Sequence, residues 1–98
     1  MFTAISCFEV MPGFEDQVKE AFRNRPKLVD NYEGFIRLDV LSPQENGAEI
    51  WLLTYWNSEE KFKEWHRKHL KDSHIGIPKG LKLVPHTFKL RSFNHITS

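Results

Sequence analysis

A single α+β domain of order β-α-β-β-α-β is what this 98-residue sequence predicts, and three observations predict it. Four short stretches are rich in Phe, Ile, Val, Leu, Trp and Tyr, as strands require. Two stretches between them carry apolar residues at helical spacing. Turn-forming Pro, Gly and Asn mark the joints. This order is the ferredoxin-like pattern, an antiparallel sheet with both helices on one face. One domain over residues 1–98 is expected, with no repeat, low-complexity stretch or linker.

The elements follow in order. Phe2 to Val10 reads as a strand closed by Met11-Pro12-Gly13. Phe14, Val18, Ala21 and Phe22 then share one face of a helix running to about Arg25, and Pro26 interrupts it. Glu15 and Asp16 lie in its first turn, where the helix dipole favours acids. A short turn is expected over Lys27 to Asn31. Asn31-Tyr-Glu-Gly34 leads into a strand from Phe35 to Leu41, and Ser42 to Gly47 is a hairpin loop ending in Asn-Gly. Glu49 to Trp56 is apolar on both faces, which predicts a central strand covered on both sides. Asn57 is the expected cap of the second helix, with Glu60 completing a capping box. Phe62, Trp65 and His69 share its apolar face, bordered by His66 and Leu70. Ile75 to Gly80 is a Pro/Gly loop. Leu81 to Phe93 reads as a long last strand in which Pro85 requires an edge or a bulge.

With both helices on one face, the other sheet face is apolar and bare. A second copy of the same sheet is its simplest cover, so a homodimer through that face is expected. Aromatic residues make up 13% of the chain, which is much bulky apolar surface for one small core. The formal charge of +1 gives no field that argues for nucleic acid or an anionic membrane. No run approaches the roughly 20 apolar residues of a membrane span. Met1 to Met11 lacks a basic start and is interrupted by Glu9, a poor signal peptide. Cys7 is the sole cysteine, which excludes an internal disulfide and fits a reducing compartment. A cytoplasmic protein is expected.

Residues able to carry chemistry are few. Three of the five histidines, His66, His69 and His74, follow one another closely. A zinc site wants three or four ligands in a closed set, and neither a cysteine partner nor a His-Glu-x-x-His motif is present. The same histidines also read as surface residues of a basic helix with Lys61, Lys63, Arg67, Lys68 and Lys71. Ser6 and Cys7 are possible nucleophiles with no base placed near them, and a cysteine on an apolar strand is by default a small buried hydrophobe. No phosphate-cradling glycine loop is present.

Tyr55 to Trp65 (Tyr-Trp-Asn-Ser-Glu-Glu-Lys-Phe-Lys-Glu-Trp) resembles the antibiotic-biosynthesis-monooxygenase domain of the dimeric α/β-barrel superfamily. The family pattern falls on Trp56, Ser58, Phe62, Trp65 and His74. Glu9-Val-Met-Pro-Gly13 and Gly34-Phe35 match as well, and the similarity covers roughly residues 2 to 94. The nearest branch is the IsdG-like haem-degrading monooxygenases. There a histidine ligates the iron, a helix tryptophan presses on and ruffles the porphyrin, and a first-strand asparagine hydrogen-bonds the distal ligand. The resemblance puts His74 in the first role, as the haem-iron ligand, and Trp65 in the second. Their nine-residue spacing suits the mycobacterial-type arrangement. Alignment on the Pro-Gly turn puts Ser6 at the asparagine position, a departure, since serine is shorter and donates a single hydroxyl hydrogen. Phe22 falls at a pocket aromatic, Phe62 and Trp65 extend the slot, and Arg25 is placed to meet a propionate.

The resemblance therefore implies a haem-degrading oxygenase. Haem would be both substrate and oxygen-activating group, with dioxygen and an external electron donor, and catalysis would rest on Trp65, His74 and Ser6. Two other readings stay open. One is a cofactor-independent oxygenase acting on an aromatic or quinol small molecule, which needs no cofactor. The other is a non-catalytic haem-binding dimer, for which Ser6 is the best support.

Overall fold

The computed structural model describes residues 1–25, 29–68 and 81–98. Its elements are β1 (Phe2–Glu9), α1 (Glu15–Arg23), β2 (Phe35–Leu41), β3 (Glu49–Trp56), α2 (Glu59–Lys68) and β4 (Lys89–Asn94), with a 3-10 turn at Val29–Asn31. The four strands form one antiparallel sheet in the order β2-β3-β1-β4. This is the predicted ferredoxin-like α+β fold, with β3 in the interior of the sheet.

Period-two alternation divides the sheet into two faces. Phe2, Ala4, Phe8 and Val10 from β1 and just past its end, and Ile50, Leu52, Thr54 and Trp56 from β3, are all buried against the helices. The intervening residues, among them Ile5, Cys7, Trp51, Leu53 and Tyr55, point the other way and are only half-buried. They stand opposite one another as Ile5–Leu53 and Cys7–Trp51 across the β1–β3 ladder. The helices supply the inner cover through Val18 and Phe22 of α1 and Phe62 and Trp65 of α2. Each large side chain fully buried this way contributes about 1.5–3 kcal/mol.

Three local readings need correction. The cap of α2 is Ser58 rather than Asn57: its hydroxyl accepts the Lys61 N–H at 3.3 Å. Asn57 instead donates its backbone N–H to Gly34 O at 2.8 Å, tying the helix entry to the turn before β2. Gly34 has a φ of 93°, and a Cβ there would stand 2.5 Å from Lys61 Cγ, so both the turn and the close approach require glycine. The long last strand is interrupted. Residues 82–84 pair with the end of β1 (Met11 N–H to Lys82 O, Val84 N–H to Glu9 O, both 2.9 Å), and a turn follows with His86 at a φ of 65°. Pro85 marks this break. Glu9 N–H then donates to Thr87 Oγ1 at 3.0 Å, and β4 begins only at Lys89. Finally, α1 ends at Arg23, short of Arg25.

Candidate active site

The buried side chains fall into two clusters. One holds Phe2, Ala4, Val29, Trp56, Phe62 and Trp65, with Tyr32 and Phe35 packed on it. The other holds Phe8, Val10, Val18, Phe22, Ile50 and Leu52. On β1 the seam between them falls at Ser6, between Ala4 of one cluster and Phe8 of the other. On β3 it falls at Thr54, between Leu52 and Trp56. Ser6 shares the parity of Ala4 and Phe8, so it faces the helix layer; it is half-buried and stands opposite Leu52 on β3 and Leu90 on β4. Thr54 is 3% exposed and donates its hydroxyl to Ala4 O at 3.3 Å. Hydroxyls thus mark the line where α1's packing ends and α2's begins.

The sequence-predicted residues distribute over this seam. Phe62 and Trp65 stand together in the cluster beneath α2. Phe22 lies in the other cluster, its ring 5.9 Å from Phe8, where it also lines an open cleft of about 300 Å³ with Lys19, Val40 and Ile50. The three aromatics are each 4–5% exposed and flank the seam rather than sharing one wall. Arg25 is engaged within the chain: its guanidinium donates to both oxygens of Asp30, at 2.9 and 3.2 Å, and its side chain is only 9% exposed. A propionate would have to compete with that bidentate pair. His66 stacks on Phe62 at 5.8 Å. His69, Leu70 and His74 lie outside the described residues. Among the described residues no group of three or more His, Cys, Asp or Glu could hold a metal ion, and no helix is long and apolar enough to cross a membrane.

Two features escaped the sequence reading. Trp56 is wholly buried at the hub of an aromatic cluster, with Phe35, Phe62, Trp65 and Tyr32 at 5.3, 5.7, 6.2 and 6.3 Å between ring centroids. Its indole Nε1–H has no hydrogen-bond partner among the described residues, rare for a buried donor. Beside it, Tyr32 donates its hydroxyl to Glu64 Oε1 at 2.6 Å, and Lys68 Nζ donates to the same oxygen at 3.2 Å. The Tyr32 hydroxyl and then the Lys68 ammonium hold the Glu64 carboxyl below its ordinary range, while the Glu64 carboxylate holds the Tyr32 phenol above its own. These partners are 32 residues apart, so no local pattern announces them.

Comparison with known proteins identifies relatives. The family model described as antibiotic biosynthesis monooxygenase matches residues 1–72. A mycobilin-producing haem oxygenase of Mycobacterium tuberculosis is 28% identical over 72 residues, covering 74% of this chain and 69% of that protein. A solved haem degrader of M. tuberculosis, with two haems bound in its active site, superposes with a TM-score of 0.82 at 22% identity, covering 100% of this chain and 98% of that one. A cofactor-independent oxygenase from Streptomyces nogalater superposes at 0.68 with 15% identity, over 99% of this chain and 94% of its own.

Proposed function

This chain belongs to the antibiotic biosynthesis monooxygenase family, and from that premise we propose that it takes haem as its substrate and opens the porphyrin ring oxidatively, releasing iron. The observation that carries the reading is the split core, with Trp65 and Phe62 on one side of the seam, Phe22 on the other and Ser6 on the line between. Aromatic side chains on both sides of one hydroxyl are the residue types that suit a flat, largely apolar ligand with a polar centre, which would enter by parting the two clusters. The likeness to a mycobacterial haem oxygenase over 74% of the chain supports it further.

Bound haem supplies the dioxygen chemistry once an external donor reduces its iron. The chain's residues position and distort. Trp65, carried on α2, presses on the ring from the side of the Trp56 cluster. Phe62 and Phe22 exclude water on either flank. His74, two residues beyond the family match, holds the iron as a neutral imidazole. Ser6 would offer its hydroxyl hydrogen to the polar centre of the bound ligand, directly or through a water. Arg25 is paired with Asp30 and fixes the chain after α1, and a haem propionate would have to compete for its guanidinium. The half-buried outer face, with Ile5, Leu53, Trp51 and Tyr55, supports a homodimer joined sheet to sheet.

The test is a titration of purified apo-protein with hemin, followed by ascorbate in air. A saturable Soret shift that then bleaches is expected. Binding without bleaching would replace the enzyme with a haem carrier or sensor. Absence of binding, with oxygen consumed on a phenolic substrate, would move the chain to the cofactor-independent oxygenases.

A further inference from the structure

We propose that Trp65, Trp56 and Tyr32 form a relay that carries a one-electron oxidising equivalent from the active site to Tyr32, where the phenolic proton passes to Glu64. Three observations carry it. First, the rings are in sequence: Trp65 to Trp56 is 6.2 Å and Trp56 to Tyr32 is 6.3 Å between centroids. Electron exchange falls off steeply with separation, and packed aromatic rings are the easiest side chains to pass through. Second, Trp56 is 0% exposed and its indole N–H has no acceptor among the described residues. Once oxidised, it has nowhere to send that proton, so it stays a cation and a strong oxidant, and the hole moves on. Third, Tyr32 has what Trp56 lacks, a carboxylate oxygen 2.6 Å from its hydroxyl. Transfer of a proton over one short hydrogen bond is the geometry a general base requires.

The step balances. One electron leaves Tyr32 and passes through Trp56 and Trp65 to the oxidant, which is reduced by one. The O–H bond of Tyr32 breaks and its proton joins Glu64 Oε1. A neutral phenoxyl radical and a neutral carboxylic acid remain, and a thiol or ascorbate in solution returns the electron. The oxidant is a one-electron oxidant of the kind haem gives with hydrogen peroxide, so its source rests on the function proposed above. Lys68, 3.2 Å from the same Glu64 oxygen, and Lys61, 3.9 Å from the other, keep that carboxylate ionised and ready to accept. The relay would spare the site when an oxidising equivalent fails to reach the substrate.

The chain supplies its own control. It has two tyrosines, both half-buried, and Tyr55 lies on the outer face beside Arg37. The first arm needs no haem. Apo-protein is irradiated with a ruthenium polypyridyl photosensitiser and persulfate, radicals are caught with a nitrone spin trap, and the adducts are mapped by peptide mass spectrometry. Labelling of Tyr32 in preference to Tyr55, with the preference lost in Glu64→Gln, is the expected result. Equal labelling of the two tyrosines in the wild type, or a preference that survives Glu64→Gln, would overturn Tyr32 as the sink. The second arm uses hemin-loaded protein and hydrogen peroxide. Tyr32 labelling that is lost in Trp56→Phe, with adduct retained at Trp65, is expected. Labelling that persists in Trp56→Phe would overturn the route. Where hemin does not bind, the haem reading fails and the first arm still decides the sink. Glu64 is only partly buried, and circular dichroism of Glu64→Gln and Trp56→Phe beside the wild type separates loss of the relay from loss of the fold.

Discussion

The two faces of one sheet are built from alternate residues of the same strands, yet they meet different fates. On β3 the inner residues Ile50, Leu52, Thr54 and Trp56 are 0–3% exposed, while Trp51, Leu53 and Tyr55 between them are half-buried. Composition does not separate them, since each face has its tryptophan and its leucine. What separates them is cover. The chain's own helices close the inner face, in two patches that leave a seam at Ser6. Among the described residues the outer face is left half-exposed. An apolar pattern on both sides of a strand therefore predicts cover on both sides without saying whose atoms supply it, and the proposed homodimer is the cover for the outer one.

The largest effect that would break this contrast lies on the inner face. Trp56→Ala should cost about 3–5 kcal/mol of stability, read from urea denaturation, whereas Ile50→Val in the other cluster should cost about 0.5–1.5 kcal/mol. Equal costs would mean that the aromatic hub is not the keystone of its half. On the outer face, Trp51→Ala with Tyr55→Ala should leave the monomer folded and shift a dimer to monomer in light scattering. A dimer that survives both changes would move the interface elsewhere. At the seam, Ser6→Asn should raise the turnover of haem, because asparagine reaches further and offers two donor hydrogens; a fall would give the serine a role of its own.

The smallest effect is in the pH profile. Glu64 titrates lower in the folded chain than in the unfolded one, chiefly through the Tyr32 hydroxyl. Its contribution is therefore present above the unfolded carboxylate value and is lost as pH falls through the folded one. The urea midpoints of wild type and Glu64→Gln should differ at neutral pH and converge on acidification. Midpoints that coincide throughout would show that the Glu64 carboxylate adds nothing to stability, and a constant offset would show that its contribution does not depend on its ionisation.

The fold was legible because its signals are periodic. Phe35–Leu41 and Glu49–Trp56 have the bounds the sequence predicts, since alternation and turn residues act over a few positions. The errors came where a local signal met a tertiary one. Asn57 and Ser58 are equally good caps by type, and the backbone bond from Asn57 to Gly34 decided between them. The pair that holds Arg25, with Asp30 under its guanidinium, likewise belongs to the folded chain and not to any local pattern. The last strand broke because Thr87 and residues 82–84 satisfy the edge of β1 before β4 starts. Of the candidate site, the side chains of α1 and α2 were legible as helix faces. The split between their clusters was not, because it depends on where each helix lies along the sheet. The Tyr32–Glu64 pair was not legible at all.

The proposed function requires that haem bind through His74, with Trp65 against it. The most direct measurement is a Soret titration of wild type and His74→Ala side by side, with circular dichroism to show that both are folded. A saturable shift in the wild type and none in the variant is the predicted result; the same spectrum and affinity in both would contradict it.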